Sequence, residues 1–303
     1  MSLLKNIRKY YGLYLMALPG LLFFATFSMF PTYCHTLAFK DYKPMLGIFG
    51  SQWAGLQNFK FFFGNKDWLI VTKNTLFLNF LFITITITLS LTVAIFLDEV
   101  RNKLAKRFMQ SLIFLPYFVS WLVVSILAFA LLNQSTGVIN VVLRALGQEG
   151  LPFYNTPDVW PGILSFIYVW RFSGWYSIIF LSAITAISPD FYEAAKIDGA
   201  SRIQQMWHIT LPLLRGTAIM LVLLAVGRIF YGDFGMIYGI VGDNGLLFET
   251  TDIIDTFAFR ALRRSGDFGM AATVTLYQSV MGFITILIFN RIIKMVDKDY
   301  VLF

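Results

Sequence analysis

Six long apolar runs restrict what this chain can fold into. Lipid offers no hydrogen-bond partner to an unpaired backbone amide, so a crossing of ~30 Å of hydrocarbon takes about 20 apolar residues in helical form. Only 14% of the residues are charged, against roughly 25% in a soluble domain. The sequence therefore predicts an all-α polytopic membrane protein, a single domain over residues 1–303 with six transmembrane helices. These spans lie near residues 11–39, 75–97, 110–132, 159–187, 216–241 and 270–289.

The basic residues predict the orientation of the chain. Lysine and arginine are enriched in the cytoplasmic segments of membrane proteins. With both termini inside, the short inner segments carry these residues at higher density than the longer outer segments. The first outer loop runs against this pattern, because it carries Lys40, Lys43, Lys60, Lys66 and Lys73. We expect a multi-pass protein whose N and C termini lie in the cytoplasm.

Composition also limits the chemistry. The opening KNIRKYYGLYLMALPGLLFFATF has a basic lead, but its apolar run is too long for a signal peptide, so we expect a retained first helix. The net charge of +7 fits membrane orientation, and we expect lipid rather than nucleic acid as a partner. Cys34 is the only cysteine, and His35 and His208 are far apart, so neither a disulfide nor a metal site is expected.

An aromatic segment, SQWAGLQNFKFFFGN at residues 51–65, follows the first run. It is too short and too polar to span a membrane. Two interpretations stay open: the segment lies along the outer membrane surface, or it is a connecting loop with aromatic interface anchors.

A polar stretch of the sequence, PDFYEAAKIDGASRIQQMWHITLPLL, separates the fourth and fifth runs. Ser188 is a fair N-cap, and Pro189 suits the first helical position, so a short helix is predicted to begin here. It is predicted to stop at Gly199, since glycine tolerates the left-handed conformation that closes a helix. Ser201 and Gln204 then form a capping-box pattern for a second short helix.

The cytoplasmic loop at 188–215 is thus predicted to be a helix, a tight bend and another helix, with Pro212 limiting the second helix or kinking its junction. A bare connection needs only a handful of residues. Small alanines and exposed aromatic residues suit a surface that a partner grips. The alternative, a hairpin packed on its own bundle, stays open.

This stretch resembles the signature loop of bacterial ABC-importer permeases, with the pattern E-A-A-x-x-D-G-A followed by I-x-L-P. Trp207 stands where that family more often has phenylalanine. The matching residues are Glu193, Ala194, Ala195, Asp198, Gly199, Ala200, Ile209, Leu211 and Pro212.

Other segments resemble the carbohydrate-uptake branch of the same family. WAGLQNFKFFF is similar to its G-L-x-N-F segment, and KNTLFL is similar to the opening of its second core helix. The ending, from DIIDTFAFRA to NRIIKMVDKDYVLF, is most similar to the subgroup that imports polysaccharide fragments and larger oligosaccharides.

The resemblance implies a type I ABC-importer permease in a bacterial cytoplasmic membrane. The signature loop would form coupling helices seated in a cytoplasmic ATPase. The implied partners are a second homologous permease, two ATPase subunits and an extracytoplasmic sugar-binding protein. The chain lacks the G-x-x-x-x-G-K-[ST] loop that cradles ATP phosphates, so no cofactor is expected on this chain and ATP and Mg on the partner subunits. It is therefore expected to be a transport subunit and not an enzyme.

Charges within the apolar runs mark a candidate sugar site, because an intramembrane charge costs roughly 2.5–3.5 kcal/mol on insertion scales. Aromatic rings, which stack on the faces of sugar rings, surround these charges in sequence. The candidate residues are Tyr168, Trp170, Arg171, Trp175, Arg228, Tyr231 and Asp233. In the carbohydrate family, the segment near Asp233 commonly reads F-N-N-F; here the asparagines are missing and one residue is inserted.

Each charge also has a structural interpretation. Arg228 and Asp233 can pair if a helix break at Gly232 brings them together, and Arg171 can bind carbonyls of a partner permease. An uncompensated arginine would favour acidic sugars such as uronates.

Two other functions stay open on the residues alone. One is an ion-coupled secondary carrier. Two observations argue against it: only one acidic residue is placed within a span, and the sequence shows no convincing repeat. The other is an ABC permease for a non-sugar solute, against which stands the G-L-x-N-F segment.

Overall fold

The computed structural model of the chain describes residues 9–296, which fold mainly as α-helices. The basic residues predicted to lie in the cytoplasm at the two ends, Lys5, Arg8 and Lys298, fall outside these described residues. The described residues belong to two compact units, and the single domain over residues 1–303 stays a prediction. The first unit holds residues 9–65 with Ala258–Tyr277, and the second holds Lys66–Phe257 with residues 278–296.

The first unit begins with a long apolar helix at the predicted first span. Helix α1 is Tyr11–Phe24, and it continues as a π turn at Ala25–Met29, a short α-helical turn at Phe30–Thr32 and a 3₁₀ segment at Tyr33–Phe39. None of its most apolar stretch is buried by the described residues. This helix therefore presents an apolar surface all round, as a membrane span does.

A small hairpin and a helix follow in the first unit. Strands β1 (Lys40–Asp41) and β2 (Gln52–Trp53) pair antiparallel around a helical turn at Gly47–Gly50, and α2 spans Gln57–Gly64. The Asn58 amide donates to the carbonyls of Ala38 and Lys40 at 3.0 and 3.1 Å, which fixes α2 beside β1. The predicted placement of this segment along the membrane surface stays a prediction.

Long helices build the second unit. Helix α3 (Asp67–Glu99) is followed by α4 (Lys103–Phe114), α5 (Trp121–Leu132), α6 (Val138–Ala145) and α7 (Trp160–Thr185). Helices α3 and α7 approach closely where their side chains are small. The buried Ser90 hydroxyl on α3 donates to the Ser173 carbonyl on α7 at 2.9 Å.

The predicted third span at 110–132 is not one straight helix. Helices α4 and α5 are joined by a 3₁₀ turn at Leu115–Phe118 and bend by 94° at their junction. Pro116 provides no backbone N–H for the helical ladder, and the Ser120 hydroxyl caps the new helix by accepting from the Val123 N–H at 3.4 Å. Within residues 9–296, five helices are long and apolar enough to cross a membrane, or six if this bent pair crosses as one span.

The predicted fifth span at 216–241 is also broken, and the predicted coupling loop at 188–215 ends earlier than expected. Helix α8 is Pro189–Ile197; α9 (Arg202–Gln205), a π turn (Met206–Thr210) and α10 (Leu211–Val226) then run on as one candidate span, Arg202–Val226. The π turn accommodates Pro212, whose nitrogen cannot donate within the helix. The chain unwinds after Val226 and resumes as α11 at Phe234–Val241.

The remaining segments of the chain contribute residues to both units. A 3₁₀ turn at Gly245–Leu247 and a helical turn at Phe248–Thr251 lead to α12 (Ile254–Ser265) and α13 (Phe268–Val296). The core of the second unit is apolar, with Phe82, Trp160 and Met236 fully buried.

Candidate functional site: a coupling surface and an aromatic cavity

The helix–bend–helix predicted from the signature stretch is present. The Ser188 hydroxyl accepts from the Asp190 N–H at 3.4 Å and caps α8. Gly199 closes that helix at φ +79°, and the Ala200 N–H donates to the Ala195 carbonyl at 2.8 Å across the bend. The bend thus depends on a glycine at this position.

The second helix starts with the predicted capping box. The Ser201 hydroxyl accepts from the Gln204 N–H at 3.4 Å, and the Gln204 side chain accepts from the Ser201 N–H at 2.7 Å. Sequence reasoning missed Gln205, which is buried and donates to the Ala200 carbonyl at 3.0 Å. Its side chain holds the bend against α9.

The predicted coupling residues, together called the coupling surface, lie on α8, on the bend and at the start of the helix that follows. A cleft of about 320 Å³ lies between the two short helices. Of the predicted set, Ala195, Asp198, Gly199, Ala200 and Ile209 line it. The other four predicted residues do not line it and are exposed: Glu193, which lines a second cavity of about 310 Å³, Ala194, Trp207, which is 60% exposed, and Pro212. Large apolar side chains here are left uncovered by the described residues, which is typical of a surface that meets a partner.

A larger cavity, about 620 Å³, lies inside the second unit, between α3, α7, α10 and the break that follows α10. Five of the seven predicted sugar-site residues line it: Tyr168, Trp175, Arg228, Tyr231 and Asp233. Sequence reasoning missed the contributions of α3, which are Asn79, Phe82, Ile83, Thr86 and Ile87. Their spacing of three to four residues places them on one helix face, a signal that was available in the sequence.

The other two predicted residues lie elsewhere. Trp170 lines a separate apolar groove of about 820 Å³ between α3, α4 and α7. The Arg171 guanidinium carbon stacks 3.9 Å from the centroid of the Trp121 ring, and its Nε and Nη1 atoms are buried without a hydrogen-bond partner among the described residues. Trp170 points away because successive helical residues are about 100° apart on the helix.

Asp233 serves the helix break rather than pairing with Arg228. Its Oδ2 accepts from the Trp121 indole N–H at 2.9 Å, and its Oδ1 accepts from the Met236 N–H at 3.2 Å, capping α11. Within residues 9–296, the Arg228 side chain is exposed and has no hydrogen bond or ion pair. The pairing considered from the sequence is therefore absent.

Distant side chains satisfy the backbone of this break. The Asn79 amide donates to the carbonyls of Ile229 and Tyr231 at 2.8 and 3.2 Å. The Gln278 amide donates to the Phe230 carbonyl at 2.7 Å. Each bond compensates a carbonyl that unwinding removed from the helical ladder.

Asp255 also accepts a hydrogen bond from the backbone of the unwound segment. Its Oδ2 accepts from the Gly232 N–H at 2.8 Å and from the Gln278 amide at 3.0 Å. Burial raises the pKa of the Asp255 carboxyl, and these hydrogen bonds oppose that increase. A Cβ added at Gly232 would overlap the end of the Ile253 side chain, which would have to shift. No group of metal-ligating side chains occurs among residues 9–296.

Comparisons with known proteins agree with one another. A family profile described as "Binding-protein-dependent transport system inner membrane component" matches residues 86–298. The chain is 38% identical over 297 residues to the "Polygalacturonan/rhamnogalacturonan transport system permease protein YteP" of Bacillus subtilis (strain 168), covering 98% of this chain and 92% of that one. It is 37% identical to "Protein LplB" of the same organism, covering 95% and 90%.

Two solved structures of bacterial ABC transporters contain chains that are similar to this one. The chain is similar, with a TM-score of 0.87 and 28% identity, to a chain of a bacterial alginate ABC transporter in complex with an alginate pentasaccharide-bound periplasmic protein, covering 98% of both chains. A second structure of a bacterial ABC transporter, involved in the import of the acidic polysaccharide alginate, has the same TM-score and identity.

Proposed function

Because this chain belongs to the family of binding-protein-dependent transport system inner membrane components, we propose that it carries oligosaccharides or polysaccharide fragments through the cavity at the α10–α11 break. It is a multi-pass permease subunit of a bacterial plasma membrane sugar importer. Relatives named for polygalacturonan/rhamnogalacturonan and for alginate support a polysaccharide fragment as the cargo.

One observation carries the placement of the sugar path. Aromatic rings of α7 meet an unwound segment of the fifth apolar run at one cavity, and Arg228 lines this cavity without a hydrogen-bond or ion-pair partner among the described residues. Such interruptions are tolerated at membrane depth where the backbone is buried in protein or lines an aqueous cavity. Rings stack on the apolar faces of sugars, and polar groups select among their hydroxyls.

Transport is driven, in this proposal, by separate ATPase subunits. The α8–α9 surface seats in a cleft of a cytoplasmic ATPase, two of which act on this chain and a second homologous permease. ATP and Mg bind those subunits and no cofactor binds this chain. An extracytoplasmic binding protein delivers the sugar, and both termini of this chain lie in the cytoplasm. An ion-coupled carrier is not supported by the family or its relatives.

The proposal is tested on the assembled importer. The chain is purified with its neighbouring permease, ATPase and binding protein, reconstituted in lipid vesicles, and assayed for ATP hydrolysis with a panel of oligosaccharides. Stimulation by one sugar class, only when the binding protein is present, is the expected result. Solute uptake by the isolated chain on an ion gradient, without ATP or partner subunits, would contradict it.

A further inference from the structure

We propose that Arg228 recognises a carboxylate of the transported sugar, so that the 620 Å³ cavity favours acidic oligosaccharides over neutral ones. This inference rests on the proposed function and names the chemical class of its cargo. It also separates Arg228 from Arg171, which the sequence alone leaves as equal candidates.

The first step is the position of Arg228. It follows α10 directly, in the unwound segment, and its side chain lines the cavity in an exposed state. No described residue pairs with its guanidinium by a hydrogen bond or an ion pair. A guanidinium presents a planar fork of donors that matches a carboxylate in a bidentate arrangement.

The second step concerns the carboxylates whose charges reach Arg228, those of Asp233 and Asp255. Asp233 accepts from Trp121 and Met236, and Asp255 accepts from Gly232 and Gln278. Both groups are engaged in holding the helix break. The protein therefore supplies the cavity with a cation whose hydrogen-bond donors are left for a ligand.

The third step is the surrounding wall. Tyr168, Phe172, Trp175 and Tyr231 line the same cavity and provide ring faces for a sugar. Thr86 of α3 is also among the residues that line this cavity. A ring stacked on this wall brings a carboxyl substituent to the same cavity as Arg228.

Arg171 meets only one of these conditions: its Nε and Nη1 atoms also lack a hydrogen-bond partner among the described residues, but they are buried. It is outside the residues that line the cavity, and its guanidinium is stacked on Trp121. It therefore provides a matched control: the same residue type, in the same unit, within the same network of charges but away from the proposed ligand.

The test uses trigalacturonate and its fully methyl-esterified form, which has the same length and ring hydroxyls but no negative charge. Uptake of both is measured in vesicles containing the complete importer, with each binding-protein complex at saturation. The variants are Arg228→Gln, Arg228→Lys and Arg171→Gln. We expect Arg228→Gln to lower the acid-to-ester uptake ratio by about 10- to 100-fold relative to the unsubstituted importer. Arg228→Lys should restore part of the ratio, and Arg171→Gln should leave it unchanged.

A second readout is independent of the binding protein. Both sugars are titrated directly onto the purified permease–ATPase complex, and tryptophan fluorescence, to which Trp175 in the cavity wall contributes, reports binding. The same loss of preference is expected in Arg228→Gln. An equal loss for acid and ester, or an unchanged ratio in both readouts, would overturn the role of Arg228. Failure of the unsubstituted importer to take up either sugar in response to ATP would count instead against the proposed function.

Discussion

Gly199 sets the geometry of the coupling surface through its backbone. At φ +79° a residue with a side chain pays about 1–2 kcal/mol, and there is otherwise open space where a Cβ would be placed. A larger residue would therefore shift the bend between α8 and α9 without a clash in the core. The defect would be confined to the surface that is proposed to meet the ATPase.

We expect Gly199→Val to weaken association with the ATPase or to uncouple ATP hydrolysis from transport, with normal membrane insertion. Glu193→Lys should have the same effect by reversing an exposed charge on α8. Gly147→Val is the matched control, because Gly147 has a similar φ of +78° and equally open surroundings in another loop. ATPase co-purification and binding-protein-stimulated hydrolysis are measured. Full uptake in both coupling variants would argue against this surface as the ATPase seat.

A second prediction at the residue scale concerns Trp121 and Asp233. Their hydrogen bond, at 2.9 Å, joins the first residue of α5 to the cap of α11. Trp121→Phe and Asp233→Asn should each reduce thermal stability of the purified complex, by about 1.5–3 kcal/mol for a bond to a charged group. The double variant should lose less stability than the sum of the two single losses, because both changes remove the same hydrogen bond. Additive losses would show that the two side chains act independently.

Individual side chains of α7 show what the sequence can and cannot reveal. Tyr168, Phe172, Trp175 and Ile179 share one helix face by their spacing, and all four line the cavity. The position of Trp170 on another face follows from the same rule. The stacking of Arg171 on Trp121 does not, since it depends on a contact between helices about 50 residues apart in sequence.

Among the elements, the broken helices depend on polar side chains that arrive from elsewhere. The unwound segment after α10 exposes carbonyls, and α3 and α13 supply Asn79 and Gln278 to meet them. An unmet buried carbonyl costs about 1–3 kcal/mol. These two amides therefore offset the free-energy cost of interrupting the fifth run within an apolar bundle.

Asn79→Leu is expected to lower the thermal stability of the purified complex by about 1–3 kcal/mol, because it leaves two carbonyls unmet. Thr92→Leu on the same helix should have little effect, since Thr92 is exposed and its hydroxyl bonds only within α3, to Thr88. The midpoint of thermal unfolding is compared for both variants. Equal midpoints would mean that water or another group replaces Asn79 at the break.

The apolar runs were predictable, whereas of their interruptions only the break at Gly232 was considered from the sequence. Apolar runs, caps and the φ-permissive Gly199 are local signals, and the spans and the α8–α9 bend were found from them. Mean hydropathy does not report whether a run is helical, so the 94° bend before α5 gave no comparable signal, and the gap after α10 was marked only by Gly232. The side chains that bond to the unwound segment after α10, Asn79 and Gln278, lie on helices distant in sequence.

For the whole molecule, the predicted orientation can be tested with cysteine labelling. Cys34 is the only cysteine, so Cys34→Ser provides a background without thiols. In that background, Met45→Cys, at a side chain 99% exposed, should react with a membrane-impermeant maleimide in intact spheroplasts. Glu99→Cys, at the exposed end of α3, should react only after permeabilisation. The reverse pattern would place the termini outside.

The unbroken course of Arg202–Val226 has a mechanical consequence. This helix is a rod of roughly 37 Å at 1.5 Å per residue, with the coupling surface at one end and the cavity wall, through Leu221, Leu224 and Ala225, at the other. A tilt of about 10° about one end displaces the other by about 6 Å on this length. A rotation imposed at the proposed ATPase seat would thus reach the proposed sugar cavity through one continuous helix.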